Sequence, residues 1–246
     1  MELRLEKYCA QAAKLSRSQI KAALRQKRIT LNGCPAKGGE KIIPGQDRVF
    51  LDGEELVWQQ HIYLMLNKPK GVVSATRDSR ERTVLDLVPE EYRRPGLFPA
   101  GRLDKDTTGF VLITDDGEFA HRMLSPKHHV EKTYQALLAG SFTEEMARQF
   151  ETGCVLKDGY QCLPARIRLL EQGENALVEI VLREGKYHQI RRMAAACGSR
   201  VLELRRIRLG ELSLDPNLEP GKCREILHKE LHKILTTSTP RAQERP

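Results

Sequence analysis

No apolar run in this 246-residue chain approaches the ~18–20 residues that span a bilayer, so no membrane-crossing helix is expected. The opening residues, Met1-Glu2-Leu3-Arg4-Leu5-Glu6-Lys7, lack the apolar centre of a secretory signal. Cysteines stand at 9, 34, 154, 162, 197 and 223, with no Cys-x-x-Cys pair and no spacing that fits a zinc module. Free thiols in a reducing, cytoplasmic setting are the expectation. His228 and His232 lie one helical turn apart, but the glutamate between them is Glu230, not the second residue of a His-Glu-x-x-His zinc pattern. His128 and His129 are adjacent, so their side chains diverge. No metal is expected, and no internal repeat is visible.

Charge is what the chain has in excess. There are 41 Lys and Arg against 33 Asp and Glu, a formal net charge of +8. That balance favours a polyanion as partner. At 40% hydrophobic residues a packed core is feasible. The basic residues are also ordered. Ser16 followed by Gln19 is a capping-box signature, and the helix it starts should run to about Lys27. Lys14, Arg17, Lys21, Arg25 and Arg28 recur every three or four residues, forming a stripe down one side. No acidic residue interrupts the segment from Lys14 to Arg28. A solvated helix face usually mixes both signs, so a one-signed stripe points to phosphate contact.

Ile29-Thr30-Leu31 and the turn pair Asn32-Gly33 follow, then Val49-Phe50-Leu51 and Leu56-Val57 around Asp52-Gly53, read as a hairpin. Residues 1–58 therefore form a small basic module, with Gln59-Gln60-His61 as linker. A second domain, 62–235, opens with Ile62-Tyr63-Leu64-Met65-Leu66. Asn67-Lys68-Pro69-Lys70-Gly71 should stop that strand and Val72-Val73-Ser74 resume it. Residues 76–99 read as a loop with one short helix near Val84–Val88. Helices are predicted over 118–124, 143–153 and 188–197, and strands over 134–138, 165–170, 176–182, 202–204 and 207–209. The polar residues 236–246 are predicted to be disordered. Short strands mixed with helices, without regular β-α-β alternation, define an α+β domain.

The most informative segment is Gly101-Arg102-Leu103-Asp104-Lys105-Asp106-Thr107-Thr108-Gly109. It sets an arginine and a carboxylate on a loop before the apolar run Phe110-Val111-Leu112-Ile113, a common place for a reacting group. Lys132-Thr133-Tyr134 and Glu184-Gly185-Lys186-Tyr187-His188-Gln189-Ile190-Arg191-Arg192-Met193 follow. With Leu66–Gly71, these motifs stand in the order shown by the pseudouridine synthases, and the chain resembles the branch acting on ribosomal RNA. Ser125-Pro126-Lys127-His128-His129 looks most like the small-subunit (16S) rRNA enzymes, with a large-subunit enzyme as the alternative. The first quarter resembles the S4 RNA-binding domain.

The resemblance implies isomerisation of a uridine: its N1–C1′ bond breaks, the base rotates, and C5 joins C1′. Nothing is oxidised or hydrolysed, so no cofactor is required. Asp104 is implied as the catalytic carboxylate, nucleophile or base. Burial would raise its pKa, and Arg191 is implied as the cation that holds it ionised by a two-pronged contact. Tyr134 is implied as the stacking residue, Ile190 as its apolar neighbour, and Arg102 as the holder of the strand at the vacated position. Lys132 and Lys186 are candidate phosphate or substrate cations. The implied partner is ribosomal RNA or a ribosomal assembly intermediate, bound by a monomer. Each residue also has a plainer reading as packing or surface charge. A non-catalytic RNA-binding protein and a hydrolase of glycosides or nucleosides are the rival functions. A pure binder has no use for a carboxylate in an RNA cleft, where it repels phosphate.

Overall fold

A computed structural model describes residues 2–13, 15–125 and 130–236. The chain divides into two compact units, with the boundary between His61 and Ile62. Among the described residues no helix is long and apolar enough to cross a membrane.

In the N-terminal unit, β1 (Leu3–Arg4) leads into α1 (Leu5–Ala12), followed by α2 (Arg17–Arg25). Ser16 caps α2 reciprocally: its Oγ accepts the Gln19 N–H, and Gln19 Oε1 accepts the Ser16 N–H. The helix ends at Arg25, short of Lys27, because Lys27 takes a left-handed conformation (φ 55°). Next come β2 (Ile29–Leu31), β3 (Cys34–Pro35), β4 (Lys41–Ile42), β5 (Val49–Leu51) and β6 (Glu54–Glu55). Asn32-Gly33 and Asp52-Gly53 both have positive φ, the geometry of two-residue hairpin turns. The strand returning from Asp52-Gly53 is Glu54–Glu55, two residues before the expected Leu56-Val57. Leu5, Tyr8, Ile20, Ala23, Ile29 and Val49 form this unit's core.

The C-terminal unit is built on a mixed sheet. Its elements are β7 (Tyr63–Lys68), β8 (Phe98–Ala100), β9 (Thr108–Thr114), α3 (Gly117–Leu124), β10 (Lys132–Leu138), α4 (Glu144–Thr152), β11 (Arg166–Gln172), β12 (Ala176–Leu182), α5 (Gln189–Ala196), β13 (Val201–Leu209), β14 (Leu212–Ser213), β15 (Cys223–Glu225) and α6 (His228–Leu235). Nine strands among the described residues share the sheet, in the order β11-β12-β10-β13-β9-β7-β15, with β14 on β13 and β8 on β9. The β9–β13 pair is parallel, and the others are antiparallel. Alternation explains the unbroken apolar runs of the central strands. Leu64, Leu66, Val111 and Ile113 pack on one cluster, while Met65, Phe110 and Leu112 pack on another.

Three sequence expectations need correction. Asn67 and Lys68 continue β7 instead of stopping it, and Val72-Val73-Ser74 contributes only a bridge from Val73 to Thr83. Both polar residues are buried with their donors satisfied: Asn67 Nδ2 donates to the Leu218 carbonyl at 2.7 Å, and Lys68 caps three carbonyls. The candidates at 202–204 and 207–209 are one strand, β13. The 76–99 segment holds two 3-10 turns, Val84–Leu87 and Glu90–Tyr92, and the start of β8. Residues 237–246 lie outside the described chain, as do Pro126–His129 of the small-subunit-like motif.

Candidate active site

The Asp104 loop joins β8 to β9, and neighbours hold it from several sides. The Ser74 hydroxyl donates to the Leu103 carbonyl at 2.8 Å and accepts the Leu103 N–H at 3.0 Å. The Gly71 N–H donates to the Lys105 carbonyl, and the Thr107 N–H to the Asp104 carbonyl. Beneath the loop, the fully buried Lys68 Nζ donates to the carbonyls of Pro69, Lys105 and Thr107 at 3.0, 3.0 and 2.8 Å. Burial lowers the Lys68 pKa to about 8, with Asp106 and Asp104 opposing the shift. Gly109 then lets β9 run against β13: at φ 99°, a Cβ there would sit 2.2 Å from the Arg206 carbonyl oxygen.

Across from this loop, the segment 184–188 leads into α5. Glu184 organises it: one carboxylate oxygen accepts the Leu163 N–H and the Gln189 amide, the other the Tyr160 hydroxyl. Gln189 Oε1 in turn accepts the Lys186 N–H at 2.9 Å. His188 precedes the helix in a left-handed conformation (φ 49°) and stacks on Tyr187, ring centroids 3.9 Å apart. A non-glycine residue held there stores strain, a feature that gathers at functional sites.

These two segments enclose a cavity of about 240 Å³. Arg102, Asp104, Tyr134, Lys186, Ile190 and Arg191 all line it. Tyr134 comes from β10 and Ile190 and Arg191 from α5, so the walls come from elements distant in sequence. Tyr134 and Ile190 are buried, while Arg102 and Lys186 are exposed. Lys132 lies apart from this cavity, buried, with its Nζ donating to the Val130 carbonyl at 2.9 Å. Burial, helped by the Arg206 charge, lowers its pKa to about 8.

Two expectations about Asp104 fail. Its side chain is 34% exposed, not enclosed in a dry pocket. The side chain beside it is the His188 imidazole, whose Nε2 lies 3.5 Å from Asp104 Oδ1. Arg191 lines the same cavity, but its guanidinium donates to the Val201 carbonyl at 3.2 Å. No signal in the sequence distinguished His188 from Arg191, because both belong to one short motif and only the backbone turn at His188 selects between them. Arg206 was also missed. It stands in the basic run Arg205-Arg206-Ile207-Arg208, yet it is buried and donates to the Phe110 carbonyl at 2.7 Å.

In the N-terminal unit Arg17, Lys21 and Arg25 are exposed on α2, as the stripe requires. Arg28 leaves the stripe. It lies beyond the helix and grips Asp52 with two nitrogens, so its charge is already paired. Lys14 lies outside the described residues.

A carboxylate at an open cavity with an aromatic wall and a ring of cations is the arrangement of an enzyme that handles a base carried on a polyanion. The chain belongs to the RNA pseudouridylate synthase family, whose profile matches residues 62–196, and is an isomerase that converts uridine to pseudouridine. It is 44% identical over 234 residues to an RNA pseudouridine synthase of Bacillus subtilis, covering 94% of this chain and 98% of that protein. It is 41% identical to the ribosomal small subunit pseudouridine synthase A of Yersinia pestis, again over 94% of this chain and 98% of the relative. A crystal structure of a pseudouridylate synthase superposes with a TM-score of 0.65 at 38% identity, covering 94% of this chain and 99% of that one.

Proposed function

We propose that this enzyme isomerises a specific uridine of small-subunit (16S) ribosomal RNA, with Asp104 as its catalytic carboxylate. The observation that carries the site assignment is that Asp104, Tyr134, Ile190 and Arg191, from three separate parts of the chain, line one cavity. The subunit assignment is supported by relatives named ribosomal small subunit pseudouridine synthase A, at about 40% identity over nearly their whole length.

The reaction breaks one C–N bond and forms one C–C bond, while C5 loses a proton and N1 gains one. No atom is lost, so the chain's own groups suffice. Asp104, open to solvent on one side, meets the ribose at C1′ as nucleophile or at C2′ as base. The uridine must leave its stack, at a cost of a few kcal/mol. Tyr134 and Ile190 recover part of that cost by covering the base, and Tyr134 assists loss of the C5 proton. Arg102, exposed at the rim, occupies the gap in the strand. Lys186 draws phosphate toward the cavity. Arg191 positions the base-handling wall through its Val201 contact and supplies positive potential near Asp104.

The N-terminal unit is proposed to be an S4-like RNA-binding module, its contacts made by Arg17, Lys21 and Arg25. Arg28 is left out because Asp52 occupies it.

The test is tritium release from transcripts labelled at uridine C5, with small-subunit and large-subunit rRNA offered separately. Release from the small-subunit transcript alone is expected. Release from large-subunit rRNA alone would overturn the subunit assignment.

A further inference from the structure

A second cavity, of about 370 Å³, adjoins the first, and Arg102, Tyr134, Gly185 and Lys186 line both. Its remaining charged lining is lopsided. Lys132, Arg183 and Arg206 face it against one carboxylate, Glu184. Glu184 already accepts from Tyr160, Leu163 and Gln189. Arg183 is paired with Glu131. Lys132 and Arg206 have no such partner among the described residues.

Both of these cations are buried, at 8% and 2% exposure. Among the described residues Lys132 Nζ has a single acceptor, the Val130 carbonyl. Arg206 uses Nε on the Phe110 carbonyl, and its Nη2 is buried with no hydrogen-bond partner among the described residues. A buried donor left unpaired costs ~1–3 kcal/mol, more when charged. Two neighbouring buried cations add repulsion, which contributes to the lowered Lys132 pKa. Such a pair is retained at a cost unless something anionic completes it. A phosphodiester fits. Its two non-bridging oxygens can accept from an ammonium and a guanidinium together. Tyr134 lines both cavities, so a base in the first and a neighbouring phosphate in the second would both lie against it.

We propose, resting on the rRNA reading above, that Lys132 and Arg206 grip the backbone phosphate flanking the target uridine. The grip fixes the strand while the base swings into the first cavity, and it sets which uridine enters.

The test uses the full chain and a small-subunit rRNA fragment that it converts. Copies carrying a single uncharged methylphosphonate at each linkage around the target are titrated against the parent, Lys132→Met and Arg206→Met. One flanking linkage is expected to weaken parent binding at least ~10-fold, the size of a charge-assisted hydrogen bond, and to cost Lys132→Met much less. Lys132→Met carries the test if Arg206→Met fails to fold. Equal affinity for every linkage, or the same penalty in Lys132→Met as in the parent, overturns the phosphate site while conversion continues. If inorganic phosphate raises the melting temperature of the parent but not of Lys132→Met, and no linkage matters, the pocket holds free phosphate and the proposal fails. Absence of conversion of any rRNA fragment overturns the rRNA reading and this proposal with it.

Discussion

Lys68 shows how a residue far from the reacting atoms can govern them. Its three bonds tie the Lys105 and Thr107 carbonyls of Asp104's loop to the Pro69 carbonyl beside β7, so the loop's shape depends on one ammonium. Lys68→Met should leave those carbonyls unpaired, cost ~1–3 kcal/mol or more of stability, and lower kcat while the RNA Kd holds. Stopped-flow turnover and equilibrium binding on the same preparation check the split. Lys132 gives a pH prediction. Its folded pKa is about 8, against ~10.4 for a free lysine. Between those values the unfolded state holds more protons, so stability rises with pH. Below about 8 both states are protonated and the slope vanishes. Urea midpoints at pH 7, 8.5 and 10 should therefore rise more steeply in the parent than in Lys132→Met. Parallel profiles would contradict the burial.

At the scale of elements, the close approach of β9 to β13 is the constraint that brings the Asp104 loop to the site. Gly109→Ala puts a methyl group into the Arg206 carbonyl and strains a positive φ. A loss of ~2–3 kcal/mol or more is expected, read as a lowered melting temperature together with weakened activity. Much of the local structure was legible in the sequence. The Ser16–Gln19 capping box and the Asn32-Gly33 turn depend on neighbours a few residues away, and each formed as read. The site motifs were legible too, since Asp104, Tyr134 and Arg191 do share a cavity. What failed depends on distant partners. Asn67 and Lys68 look like a strand stop until Leu218, Lys105 and Thr107 supply their acceptors. Arg206 looks like surface charge until β9 covers it. His188 is placed beside Asp104 by a backbone turn that no pattern of residue types announces.

At the scale of the whole molecule, the excess of positive charge accords with RNA as substrate, while chemistry and grip fall to different residues. Changing Arg17, Lys21 and Arg25 together to Ala should flatten the log-affinity against log-salt slope by up to ~0.7–0.9 per lost contact, with single-turnover chemistry on bound RNA unchanged. An unchanged slope would make the α2 stripe a solvated face. The central claim, that Asp104 makes this chain a small-subunit rRNA pseudouridine synthase, is tested most directly by mapping pseudouridine across rRNA. Three strains are compared, carrying the parent gene, no gene, and Asp104→Asn expressed at the parental level. The account predicts one small-subunit position that is modified with the parent and unmodified in both of the others. Persistence of that modification with Asp104→Asn would contradict it.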